Sequence, residues 1–253
     1  MNRSLLLIFF IWFFLFTKIS GAASFYQFQG AYRSFPKSAS GEVHFYFNEK
    51  IWSNQTSGES WQYGFWRLGA FAALHGQVGL KVDVYPISIL QLSLQRSLTS
   101  RFYDTQTLDC MNVECRGSVQ RGTLKTSLVL GYGDIFFVPS FTITDISSDQ
   151  NKKDFSSEED NLVAALGGDQ LSIRQLTLGY KSGDQRWALV SRSSKMKLSK
   201  DHNLSKYLVW NKIYNPEINY FIGAGIFESS HADRSFSFIS GISWTVGDNL
   251  ALF

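Results

Sequence analysis

Histidine, cysteine and proline are all scarce in this chain, and each scarcity narrows what it can be. The four histidines, His44, His75, His202 and His231, are scattered over 253 residues, and neither cysteine, Cys110 or Cys115, has a histidine beside it. No metal-ligand spacing can be assembled from such a set, so neither a metal centre nor any other cofactor is expected. Charged residues are 18%, below the usual quarter, and the formal net charge is only +3. A dedicated nucleic-acid binder would be more basic, so no nucleic-acid partner is expected. Helical periodicity is missing after residue 24, and only four prolines interrupt the chain. What is abundant is aromatic character, at 16%.

The first segment has the three-part layout of a secretory signal peptide. Arg3 gives a positive start, Leu5 to Phe16 is an unbroken apolar run, and small residues close it at Gly21-Ala22-Ala23. The run is short for a membrane-spanning helix. The expected organisation is a cleaved leader over 1–23 and one domain over 24–253. Losing Arg3 and Lys18 with the leader brings the formal charge down to +1. Export leads to an oxidising compartment, where Cys110 and Cys115 are expected to form a disulfide. The loop it closes is small, so about 2 kcal/mol of stabilisation and a stiffened, peripheral loop tip are expected.

Beyond the leader, apolar and polar residues alternate with period two. Phe236, Phe238, Ile242, Trp244 and Val246 fall on one face, and Ser237, Gly241, Ser243 and Thr245 on the other. Leu90, Leu92 and Leu94 alternate with Gln91, Ser93 and Gln95 in the same way. This pattern predicts about twelve strands: 25–34, 42–52, 59–73, 76–85, 88–103, 118–131, 135–146, 170–181, 185–198, 205–213, 217–228 and 234–246. Soluble strands average about five or six residues, whereas a tilted membrane strand needs about 9–11. These lengths favour a membrane. Tight turns at 85–87, 131–134, 181–184 and 214–216 alternate with longer polar links over 104–117 and 147–169. Short turns at one end and long loops at the other are the pattern of membrane barrels. Tyr85, Tyr132, Tyr180 and Tyr214 sit beside the short turns, where they are expected to form an interfacial girdle. A sheet within lipid must close on itself, because unpaired backbone groups cannot be left at an edge.

Together these features resemble the bacterial outer-membrane β-barrel superfamily. The resemblance covers nearly the whole mature chain, is architectural, and carries no motif of one family. It implies an all-β fold, a single antiparallel up-and-down transmembrane β-barrel in the cell outer membrane with both termini periplasmic. It also implies outer-membrane lipids as surroundings and the barrel-assembly machinery as a partner, reading the last strand and Phe253. For Phe253 to face lipid, residues 247–249 must form a bulge or turn. Two further irregularities stand out: Pro139 within a strand, for which a local bulge is expected, and Asn161 to Gly168, which could form a short helix or a turn.

Some barrels of this class are hydrolases with a histidine two residues ahead of a nucleophilic serine. The residues two beyond the histidines are Tyr46, Gln77, Leu204 and Asp233, so that pattern is absent. Ser229-Ser230-His231-Ala232-Asp233 holds the parts of a triad as sequence neighbours, which reads as a polar loop, and no catalytic residues are assigned. His44, Asn48, Lys81, Asp83, Gln91 and Lys125 are expected to face a wet lumen lined by small hydrophilic residues. The expected function is a non-enzymatic barrel, either a small-solute channel or a structural surface protein. An outer-membrane enzyme with an unrecognised site, and a soluble secreted barrel holding a lipophilic ligand, stand as alternatives.

Overall fold

A computed structural model describes residues 23–53, 63–101, 108–149, 153–157 and 162–247. The expected leader lies outside the described residues, except for Ala23, which opens the first strand. The strands in chain order are β1 (Ala23–Arg33), β2 (Ser38–Ser53), β3 (Tyr63–Ala73), β4 (Gln77–Ile87), β5 (Leu90–Arg101), β6 (Gly117–Leu128), β7 (Leu130–Tyr132), β8 (Ile135–Ser148), β9 (Phe155–Ser156), β10 (Val163–Ala164), β11 (Asp169–Ser182), β12 (Gln185–Met196), β13 (His202–Ile213), β14 (Ile218–Ser229) and β15 (Ala232–Gly247). All except β9 and β10 belong to one antiparallel sheet, and β9 and β10 pair with each other.

The sheet is a closed barrel. β1 pairs with β15 from Phe25↔Gly247 to Arg33↔Ile239, and β8 pairs with β11 from Asp169↔Ile146 to Tyr180↔Ile135. Because β7 continues β6 along the same partner, the barrel has twelve staves. Closure leaves no row of unpaired N–H and C=O groups at an edge. With an even number of staves, both ends of the described chain lie at one end of the barrel. That turn end also holds the connections at 88–89, 133–134, 183–184 and 214–217. The other end, here the loop end, carries 102–116 and 149–168. Gly133 and Gly183 open their two-residue turns at φ 57 and 59, the positive first position that type II′ hairpins require.

The period-two pattern sorts the wall as its chemistry demands. Leu94, Leu178, Leu189, Leu208, Ile222 and Phe238 are each more than half exposed on the outside. Their strand neighbours Ser93 and Ser237 are buried on the inside, as is Thr245 between Trp244 and Val246. Arg192 also points inward and so keeps the alternation of β12, while Lys206 points outward on β13.

Three local features differ from the sequence expectation. Pro139 causes no bulge: the register from Ser127↔Ser140 continues unchanged at Leu130↔Phe137. The β6–β8 ladder is simply interrupted between these two pairs, opposite Pro139, while the Val129 N–H donates to the Ile89 carbonyl on the β5 side at 2.8 Å. Proline has no N–H to offer, and leaving out one rung suffices. A register shift occurs instead on β4 between Val84 and Ile87, around Pro86, which moves the turn from 85–87 to 88–89. The segment expected to form a short helix or turn contributes β10, one arm of a hairpin with β9. Residues 248–253, including Phe253, lie outside the described residues; β15 ends at Gly247 with φ 106.

Candidate functional site

The barrel interior gathers the chemistry. Inward positions on β2, β4, β5 and β6 carry His44, Asn48, Lys81, Asp83, Gln91 and Lys125. Asp83 is 1% exposed and forms the hub of this group. Lys81 Nζ lies 3.2 Å from its carboxylate, and Gln91 Nε2 donates to it at 3.2 Å. Lys125 is one strand further on, in register with Ser93. His44 Nε2 lies 3.0 Å from the Glu42 carboxylate, and its Nδ1 lies 3.1 Å from the Tyr46 hydroxyl.

The interior is not lined by small hydrophilic residues alone, as the alternation had suggested. Toward the turn end, Phe25, Tyr46, Phe65 and Tyr85 fill the space beside β1 to β4. Phe65 and Tyr85 stack at 4.1 Å, and Phe25 and Tyr46 at 4.9 Å. The Arg67 guanidinium lies over all four rings, 5.0 Å from the centroid of Phe25 and 5.9 Å from that of Tyr85. A planar cation among ring faces is held by their quadrupoles. Tyr85 is therefore not part of an outer girdle: the parity that turns Asp83 inward turns Tyr85 inward too, to 4% exposure. Tyr132 and Tyr180 do face outward, and Tyr214 is exposed in its turn. The outer ring at this level is richer in tryptophan than the tyrosine pattern alone implies. Tyr180, Trp187 and Trp210 are consecutive in register, and Trp244 stacks on Phe28 at 5.3 Å. Tryptophan at outward positions near the short turns was the available signal.

Above the aromatic block lies a cavity of about 630 Å³. Threonines, glutamines and serines line much of it, its charged members are Arg33, Arg121 and Arg192 with Glu42, and His75 lies beside them. Next to it, the β9–β10 hairpin folds inward from the loop end. Phe155, Leu162 and Ala164 pack on Val119, Ile146, Leu171, Ile173 and Met196 of the inner wall. Arg121 donates to the Thr99 hydroxyl at 2.6 Å and to the Ser157 carbonyl.

Cys110 and Cys115 are disulfide-bonded, with their Cα atoms 5.5 Å apart. Their loop is not a free tip. Cys115 is buried with Leu108 and Val163, and Glu114 bridges to Phe155 of the hairpin. The backbone N–H of Glu114 donates to Asp154, and that of Ser156 donates to Glu114. The disulfide loop thus clamps the inward hairpin from above.

Ser230 and His231 of the run from Ser229 to Asp233 take separate partners from outside it. Ser230 Oγ lies 3.0 Å from His202 Nδ1, whereas Asp201 lies 2.8 Å from His231 Nε2. Asp201 also accepts the Val163 N–H at 2.6 Å. The acid therefore orients a different imidazole from the one beside the hydroxyl, which is not the relay of a triad.

The sequence matches no family model and no curated protein. Among solved structures it is similar to the porin NanC, at 13% identity over 87% of this chain and 98% of that one, with a TM-score of 0.49. It is also similar to the β domain of the Bordetella autotransporter BrkA, at 12% identity over 89% and 99%, with a TM-score of 0.47. An outer-membrane channel from Pseudomonas putida F1 shares 11% identity over 88% and 94%, with a TM-score of 0.46. The closed register of this chain establishes its barrel independently of them.

Proposed function

We propose that this protein is a non-enzymatic integral β-barrel of a bacterial outer membrane that admits small anionic solutes to its lumen from the loop end. The carrying observation is the polar cavity of about 630 Å³, whose charged lining is three arginines against one glutamate among the described residues. A net excess of one sign in a low-dielectric wall focuses field and favours ions of the opposite sign. The apolar outer wall supports residence in lipid rather than a soluble carrier, which would be polar outside. On this reading both termini are periplasmic, outer-membrane lipids surround the wall, and assembly runs through the C-terminal strand.

Planar-bilayer recording under a salt gradient tests the reading. The reversal potential should show anion preference, and Arg192→Glu should move it toward cations. A cation-preferring parent overturns the anionic assignment. The inward packing of Phe155 and Leu162 favours a second reading, a plugged structural barrel; full membrane insertion with no conductance would select it. Orientation is tested with an impermeant maleimide on intact cells. Leu74→Cys at the loop end should label and Tyr132→Cys at the turn end should not; the reverse result inverts the topology.

A further inference from the structure

The outer wall carries a cationic patch where lipid should lie. Arg174 on β11, Lys195 on β12 and Lys206 on β13 all point outward and are exposed. The register places them together. Arg174 is opposite Ser193, Lys195 is opposite Ser172 and His202, and Lys206 is opposite Ser191. Residues directly opposite are about 5 Å apart and diagonal ones about 7–8 Å. The three head groups therefore surround Ser193 within the reach of long side chains. Of the outward carboxylates on neighbouring strands, Glu228 pairs with Arg234 at 3.0 Å, and Asp145 accepts from Gln170 at 2.9 Å without pairing with any of the three cations. Among the described residues, none of the three cationic head groups has a hydrogen bond or ion pair.

Their depth makes this consequential. Below them the wall is leucine: Leu176, Leu178, Leu189 and Leu208, each at least half exposed. Below those come Tyr180, Trp187 and Trp210. From Tyr180 to Arg174 is about 20 Å along the strand, or roughly 15 Å of height at the usual tilt. An apolar band is about 25 Å tall, so the cations begin before such a band would end. Unpaired cations at that level are costly, and among the described residues no carboxylate forms an ion pair with any of the three.

We propose that this patch binds a phosphate-bearing lipid of the leaflet at the loop end. Its phosphate sits among Arg174, Lys195 and Lys206, with the Ser193 hydroxyl beside it, and its acyl chains run down the leucines. The inference rests on the membrane reading above. Three cations around one phosphate match its sign and its several acceptor oxygens, and the leucine wall directly beneath matches the chains, which a free anion would not use.

The test uses the full mature chain in detergent micelles doped with dioleoyl phosphatidate or dioleoyl phosphatidylcholine, read as lipid adducts by native mass spectrometry. The parent should retain phosphatidate over phosphatidylcholine. The triple variant Arg174→Gln, Lys195→Gln, Lys206→Gln should lose at least about tenfold of that preference, since each cation near an anionic lipid contributes. The single variant Lys206→Gln should fall between, and Lys212→Gln at the turn end should match the parent. Equal retention by parent and triple variant overturns the proposal, as does equal retention of the two lipids. Full displacement by millimolar inorganic phosphate would also overturn it, marking a free-anion site. Failure of the parent to insert into vesicles would instead sink the membrane reading, so the two failures are distinguishable.

Discussion

Arg101 and Ser156 lie 55 residues apart in the chain, yet the Nη1 of Arg101 donates to the Ser156 carbonyl at 2.8 Å. The same guanidinium donates to the carbonyls of Glu114, Arg116 and Gly117 at 3.1, 2.7 and 3.3 Å. One side chain thereby joins the barrel wall, the disulfide loop and the inward hairpin.

Replacing Arg101 with Met should leave several buried carbonyls without a donor. Each such loss costs about 1–3 kcal/mol, borne by the loops rather than by the barrel ladders. The variant should assemble, and limited proteolysis should produce new cuts between 153 and 168. A cleavage map identical to that of the parent would mean that the apolar packing of Phe155 holds the hairpin unaided.

The disulfide is coupled to the same assembly. A double Cys110→Ser, Cys115→Ser variant should still insert and keep its heat-resistant mobility in detergent. Cys115 packs with Val163, so proteolysis should increase in the hairpin as well as in 108–117. Cuts confined to 108–117 would restore the simpler view of an independent tip.

Asp169 opens β11 at the loop end, above the apolar wall. Its carboxylate accepts the backbone N–H groups of Ala165, Gln170, Lys197, Leu198 and Ser199 at 2.7 to 3.2 Å. Burial pushes its pKa up, but the N–H donors outweigh this and hold the carboxyl below its ordinary range. A depressed folded pKa gives stability that is complete above the unfolded value of about 3.9 and lost as pH falls through the folded one. Hydrogen-exchange protection of Leu198 and Ser199, corrected for intrinsic rates, should therefore be steady from pH 7 to 5 and fall below pH 4. Asp169→Asn should remove most of the protection at pH 7 and flatten the pH profile. Persistence of the acid-side loss in that variant would assign it to another carboxylate.

The two faces of the wall can be told apart by arginine substitution. Leu92→Arg or Phe238→Arg should block assembly, at roughly 2–4 kcal/mol for a cation near the bilayer midplane. Gln91→Arg should be tolerated, because Gln91 already points at the Asp83 carboxylate. Ser237 is no control: it is wholly buried between the Tyr207 hydroxyl and the Phe35 carbonyl. Yields that do not separate Leu92 from Gln91 would mean that the outer face does not meet lipid.

Strand number, strand order and the inward positions of His44, Asn48 and Asp83 were readable because side-chain alternation has a period of two residues wherever one face is polar. The signal weakens where both faces are aromatic, as on β1, whose Tyr26 and Phe28 point out while Phe25 points in. Alternation alone could not say that the lumen near the turn end is filled. Pro139 misled for a different reason, since dropping one rung costs less than shifting a register that two neighbouring strands share. The hairpin within 153–168 was invisible because its apolar residues find their partners on β6, β8, β11 and β12, far away in sequence.

The seam between β1 and β15 is paired without a break from Phe25 to Arg33. The sheet consequently has no first strand; only the chain does. Phe25 and Gly247 are neighbours across that seam, so a short linker could tie the two ends together, and new ends could be opened at Gly183-Asp184 without breaking a ladder. Such a circularly permuted chain would present a different final strand to whatever machinery inserts it. Comparing its insertion in cells with its refolding in detergent would separate what the closed sheet needs from what its delivery needs.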